Sequence, residues 1–70
     1  MKSFSLEIDI EADGRYIAEI PEIPGAMAYG ISKEEAVAKA EALAFRILAS
    51  RLENGEIDPF DQHELPFKAA

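Results

Sequence analysis

The stretch SFSLEIDI (residues 3–10) decides the fold, because its polar and apolar residues alternate at every position. A period of two is typical of a β-strand with one apolar face and one polar face. We expect the apolar row to be buried beneath a helix, while the polar row meets water or a partner. The apolar row consists of Phe4, Leu6, Ile8 and Ile10.

A second strand is predicted over residues 15–20, after a turn at residues 11–14 that contains the Asp-Gly pair of a tight hairpin. Its first side carries Tyr16, Ala18 and Ile20. Ile17 falls on the other side with Glu19, so this strand is apolar on parts of both faces. Another chain could cover that second apolar area.

The segment PEIPG (residues 21–25) ends the second strand, because proline cannot donate to a strand ladder. Its Pro-Gly pair suits the centre of a type II turn. A short third strand is predicted over residues 26–30. Methionine and aromatic residues are enriched at protein interfaces, so Met27 and Tyr29 are interface candidates, with burial under the helix as the alternative. The full set of protein-interface candidates is Ile17, Glu19, Met27 and Tyr29.

A long helix is predicted to start at Ser32, because residues 32–35 read SKEE, a capping box. In that motif the Ser32 hydroxyl accepts from the Glu35 N–H, and the Glu35 carboxylate reaches back. Asn54-Gly55 ends the helix, since glycine readily adopts the left-handed cap. An apolar stripe at helical spacing faces the sheet. It consists of Ala36, Val37, Ala40, Leu43, Ala44, Ile47, Leu48 and Leu52.

The order of elements predicts an α+β fold. Beyond residue 55 the pattern weakens, and a short edge strand is expected near residues 62–67, limited by Pro66. The expected architecture is two-layered: a three- to four-stranded antiparallel sheet with one long helix on one face, in the order β-β-β-α-β. The 70 residues form a single domain.

Composition excludes several classes of protein. Fourteen acidic and seven scattered basic residues give a formal net charge of −7, which does not favour direct binding of nucleic acid. The chain has no cysteine for a disulfide or thiolate site, no 18-residue apolar run for a membrane span, and no apolar leader. We therefore expect a cytoplasmic protein without metal or cofactor. A domain this small buries only about 60 % of its unfolded surface, so a homo-oligomer, dimer or higher, is expected to stabilise it.

Few residues offer catalytic chemistry. Glu7 and Asp9 lie two apart on one strand, and such a carboxylate pair can hold Mg²⁺, although a solvated strand face is the simpler interpretation. His63 is interpreted as a surface histidine, because no second nitrogen or thiolate ligand lies near it in sequence. Gly25 and Gly30 lack phosphate-loop spacing and are interpreted as turn glycines. No catalytic residue is predicted.

The stretch YIAEIPEIPGAMAYGISKEEA (residues 16–36) resembles the signature of HicB-like antitoxins. That signature reads Y-x-A-x-(V/I)-P-E-(L/I)-P-G, a small residue, x-A-x-G, and then (T/S)-x-E-E-A. The likeness continues through residues 40–43 and more loosely through residues 55–57. Counting the preceding hairpin, it covers about two thirds of the chain in order.

The resemblance implies a partial ribonuclease-H-like fold without catalysis. It also implies the role of a type II antitoxin, which binds and neutralises a small basic HicA-type ribonuclease toxin. Many family members carry a C-terminal DNA-binding motif, for which this chain is too short, so we expect no direct operator binding. Ala26 stands where a cysteine is common, and residues 58–60 replace a frequent proline-serine pair. The alternatives are an oligomeric protein-binding scaffold and a metal-dependent hydrolase using Glu7 and Asp9.

Overall fold

The computed structural model describes residues 4–57 and 67–68. In chain order the elements are β1 (Phe4–Ser5), β2 (Glu7–Ile10), β3 (Tyr16–Glu19), β4 (Met27–Gly30), α1 (Lys33–Glu53) and β5 (Phe67–Lys68). Strands β2, β3 and β4 form an antiparallel sheet in that order, and β1 pairs in parallel with β5. The α+β class, with a three-stranded antiparallel sheet and one helix, is confirmed.

The first stretch does not form the single strand that its alternation predicts. The buried residue Leu6 separates β1 from β2, and the two short strands have different neighbours. The tail strand expected near residues 62–67 is described only at 67–68, where it pairs in parallel with β1. Residues 62–66 lie outside the described residues. Alternation reveals which side chains share a face, but it does not reveal which strand lies alongside.

Two glycines with positive φ make the turns that bring the strands together. In the β2–β3 hairpin, Gly14 has φ +90°, and its N–H donates to the Glu11 carbonyl at 2.9 Å. Gly25 has φ +95° and lies inside a turn closed by the Ala26 N–H, which donates to the Ile23 carbonyl at 3.0 Å. A left-handed φ carries little steric cost for glycine, so both Asp-Gly and Pro-Gly act as predicted.

Side-chain and backbone caps define both ends of α1. The Ser32 Oγ accepts from the Glu35 N–H at 3.1 Å, as the capping box predicts. The Glu35 carboxylate, however, accepts from the Ile31 N–H at 2.9 Å, one residue earlier than the motif requires. At the other end Gly55 has φ +71°, and the Glu56 N–H donates to the Arg51 carbonyl at 2.8 Å. This is a Schellman ending, the cap for which Asn-Gly is suited.

The core lies between α1 and the strands β3 and β4, over which the helix crosses. The predicted helix stripe is buried or half-buried along its whole length. On the strand side, Leu6 is buried and Phe4 and Ile8 are half-buried, but Ile10 is 61 % exposed. The expectation that Ile10 is buried is therefore wrong. The helix leaves the end of β2 uncovered, because its axis follows β3 and β4.

Candidate interaction surface

The sheet has one face covered by α1 and one face that α1 leaves open. Ala18 and Ala28 pack on the helix side, with Ala36 and Ala40 of α1. Because side chains alternate along a strand, the residues between them face away from the helix. We call this side the open face. It consists of Glu7, Asp9, Ile17, Glu19, Met27 and Tyr29.

The strand register arranges the open face in two rows. Glu7 lies opposite Glu19, which lies opposite Met27. In the next row, Asp9 lies opposite Ile17, which lies opposite Tyr29. The four predicted interface candidates therefore occupy neighbouring positions on β3 and β4. Their place on one surface follows from the register.

The apolar part of the open face is accessible to a partner. Met27 is 45 % exposed and Tyr29 is 39 % exposed, while Ile17 on the central strand is half-buried. The alternative that Met27 and Tyr29 are buried under the helix is therefore wrong. These side chains form an apolar area on β3 and β4, since cross-strand neighbours lie within contact distance of each other.

Carboxylates occupy the other side of the open face. Glu7, Asp9 and Glu19 are all exposed, and Glu7 faces Glu19 directly across the strand pair. Like charges opposite each other are unfavourable in a sheet. A cationic group of a partner would relieve that repulsion.

Arg15 supplies the one cation that the described structure places against the open face, and it is not among the interface candidates predicted from the sequence. Its guanidinium lies 4.7 Å from the centroid of the Tyr29 ring, within cation–π range. Its Nε also donates to Asp13 at 2.8 Å. The Arg15 backbone N–H, followed by its side chain, lowers the pKa of the Asp13 carboxyl below its ordinary value of 3.8. Arg15 shares the odd-numbered parity of Ile17 and Glu19, which was the signal available in the sequence.

The remaining candidates have simpler places in the structure. Gly25 is a turn glycine as predicted, but Gly30 is the last residue of β4, where a Cβ would meet the Ala36 backbone nitrogen at 2.5 Å. His63 lies outside the described residues. Within residues 4–57, no group of three or more His, Asp or Glu side chains is arranged to hold a metal ion. In that same part of the chain, no helix has the length and apolar character of a membrane span.

Comparisons with known proteins add no relative to this picture: no family model, curated protein or solved structure matches the chain.

Proposed function

We propose that this protein is a HicB-like antitoxin that binds and neutralises a small basic HicA-type ribonuclease through its open face. The observation that carries the proposal is the position of Ile17, Glu19, Met27 and Tyr29 on a sheet face that the helix leaves uncovered. The signature-like stretch of residues 16–36 supports the family assignment.

Charge favours a basic partner. The chain carries a formal net charge of −7, and three carboxylates belong to the open face itself. Complementary potentials accelerate encounter and reject partners of the wrong sign. An enzyme that binds RNA must present a basic surface, and an acidic protein seated on that surface would compete with the RNA.

The mixture of residues on the open face suits a specific protein contact. Met27 and Tyr29 expose apolar surface, and burying that surface against a partner lowers the free energy of the complex. Aromatic residues also dominate the binding energy of many interfaces. The acids beside them supply selectivity more than affinity. The three-stranded sheet also gives a partner a rigid support, because hydrogen bonds between the strands fix the backbone.

The test is a binding and inhibition assay with the product of the gene adjacent to this chain's gene, and an adjacent product that is not a small basic protein would contradict the toxin pairing. The variant Glu7→Lys/Glu19→Lys reverses charge on the open face, and Glu53→Lys/Glu56→Lys changes net charge equally at the exposed helix end. We expect the first variant to weaken binding about tenfold or more and to lose inhibition. The second should bind within about threefold of the wild type. Equal losses in both variants would contradict a specific role for the open face.

The same assay separates the alternatives. A stable complex with a protein that has no ribonuclease activity would favour the scaffold function over the antitoxin. Calorimetric titration with Mg²⁺ or Mn²⁺ addresses the hydrolase, for which Glu7 and Asp9 would be the ligands. Binding heat that disappears in the Asp9→Asn variant would support that alternative.

A further inference from the structure

The two margins of the antiparallel sheet differ in charge. Strand β2 reads Glu-Ile-Asp-Ile, whereas β4 reads Met-Ala-Tyr-Gly and contains no charged residue. Natural edge strands are commonly protected from pairing by charges, prolines or bulges. Strand β4 has no charge and no proline within it, so its edge lacks that protection.

Among the residues that the structure describes, no strand lies on the outer side of either β2 or β4. β1, which leads through Leu6 into β2, pairs with β5 and not with β2. Charge, and not coverage by another strand, therefore distinguishes the two margins. The uncharged edge of β4 is the margin at which the sheet can be extended.

The backbone groups along this edge can be assigned from one hydrogen bond. The Ile20 N–H donates to the Ala26 carbonyl at 2.9 Å, so the even-numbered residues of β4 direct their backbone groups toward β3. Met27 and Tyr29 then direct theirs outward. The Met27 N–H is engaged by the Gly25 carbonyl at 3.0 Å, and the Ile31 N–H by the Glu35 carboxylate. The outward-pointing backbone groups that remain are the Met27 carbonyl, the Tyr29 N–H and the Tyr29 carbonyl.

This set of groups is self-complementary. With a two-fold axis at Ala28, the Tyr29 N–H of one copy meets the Met27 carbonyl of the second copy, and the reciprocal bond forms by symmetry. The exposed side chain of Tyr29 then lies beside that of the second Met27, which adds an apolar cross-strand contact. The same arrangement at the β2 edge would bring Glu7 and Asp9 close to their own copies, at a cost in charge repulsion.

We propose that two copies of this chain pair antiparallel along β4, which makes a six-stranded sheet with both helices on one side. The two open faces become one continuous surface with Met27 and Tyr29 of both copies at its centre. This inference is independent of the proposed toxin partner, because dimerisation is measured on the isolated protein. The open-face charge variant Glu7→Lys/Glu19→Lys should still dimerise.

Sedimentation equilibrium on the isolated chain gives the first test. Met27→Glu/Tyr29→Glu places like charges opposite each other across the proposed pair, and it should raise the dimer dissociation constant about tenfold or more. The control Ile10→Glu/Ile17→Glu adds the same charge on β2 and β3 and should leave that constant within about threefold. A wild type that stays monomeric, or a control that disrupts the dimer equally, would overturn the proposal.

A cross-linking test covers the case in which the charged variant fails to fold. The chain has no cysteine, so a single introduced thiol reports on one position. Tyr29→Cys should give a covalent dimer with a short bis-maleimide, while Asp9→Cys and Ile17→Cys should stay monomeric. Cross-linking of Ile17→Cys would instead indicate face-to-face stacking of sheets, and cross-linking of Asp9→Cys would indicate pairing along β2; either result excludes the β4 pair.

Discussion

Where the helix passes over β3 and β4, the two faces of the sheet carry side chains of different size. Ala18, Ala28 and Gly30 lie beneath the helix, where Ala36 and Ala40 of the helix pack against the sheet. The open face carries Ile17, Met27 and Tyr29 at alternating positions of the same strands. Small residues let backbone approach backbone, and a face that meets no helix has no such limit. Small residues in β3 and β4 therefore mark the places where α1 lies close to the sheet, whereas larger residues on the same side, Tyr16 and Ile20, belong to the core around that contact.

The largest expected effect comes from comparing one isoleucine on each side. Ile20 is fully buried in the larger core cluster, whereas Ile17 is half-buried on the open face. Ile20→Ala should lower the free energy of unfolding by about 2–5 kcal/mol, through lost burial and a cavity. Ile17→Ala should cost about 1 kcal/mol or less. Urea denaturation of both variants measures the difference, and equal losses would mean that the open face is as deeply packed as the core.

Adding one methyl group at Gly30, beneath the helix, tests the same difference between the covered and the exposed parts of the sheet. A Cβ on Gly30 would lie 2.5 Å from the Ala36 nitrogen, a backbone atom that cannot rotate away. Gly30→Ala should therefore cost about 1–3 kcal/mol, although alanine has the better strand propensity. The neighbouring residue Ile31 is 81 % exposed, so Ile31→Ala should stay within about 0.5 kcal/mol of the wild type. Thermal unfolding checks both, and an unchanged Gly30→Ala would show that the helix can shift without cost.

The smallest expected effect concerns the dependence of stability on acid pH, through an exposed contact between Ser5 and Glu22. The Ser5 N–H donates to both Glu22 carboxylate oxygens, at 3.1 and 3.3 Å, next to the buried Leu6. The N–H groups of Glu22 itself and of Ser5 lower the pKa of the Glu22 carboxyl below its ordinary value of 4.5. A lowered folded-state pKa gives stability that is fully present above the unfolded value. That stability is lost as the pH falls through the folded value.

Glu22→Gln removes this titration, so its stability should fall less steeply than that of the wild type below about pH 4.5. Chemical denaturation between about pH 7 and pH 3 measures the slope. Glu53→Gln is the control, because it removes an exposed charge at the far end of the helix and should keep the wild-type slope. A wild-type slope in Glu22→Gln would exclude the Ser5 contact as a source of acid sensitivity.

Most of the candidate surface could be predicted from local pattern, and the exceptions have identifiable causes. Strand alternation selected Ile17 and Glu19, residue type selected Met27 and Tyr29, and the register places all four on the open face. Arg15 was missed because a charged residue beside a turn has a ready interpretation as a solvated side chain. Its contact with Tyr29 crosses from one strand to the next, which no spacing along the chain indicates.

The sequence by itself determined the three antiparallel strands followed by one helix, the turn glycines, the Ser32 cap and the helix stripe, because each depends on dihedral preference or periodicity within a few residues. Only the tertiary structure decided that β1 pairs with β5, that Ile10 stays exposed and that Gly30 contacts the helix. The pairing of β1 with β5 joins residues at opposite ends of the chain, and the other two features depend on where the axis of α1 crosses the sheet. That position is set by the sum of many side-chain volumes, and no single motif encodes it.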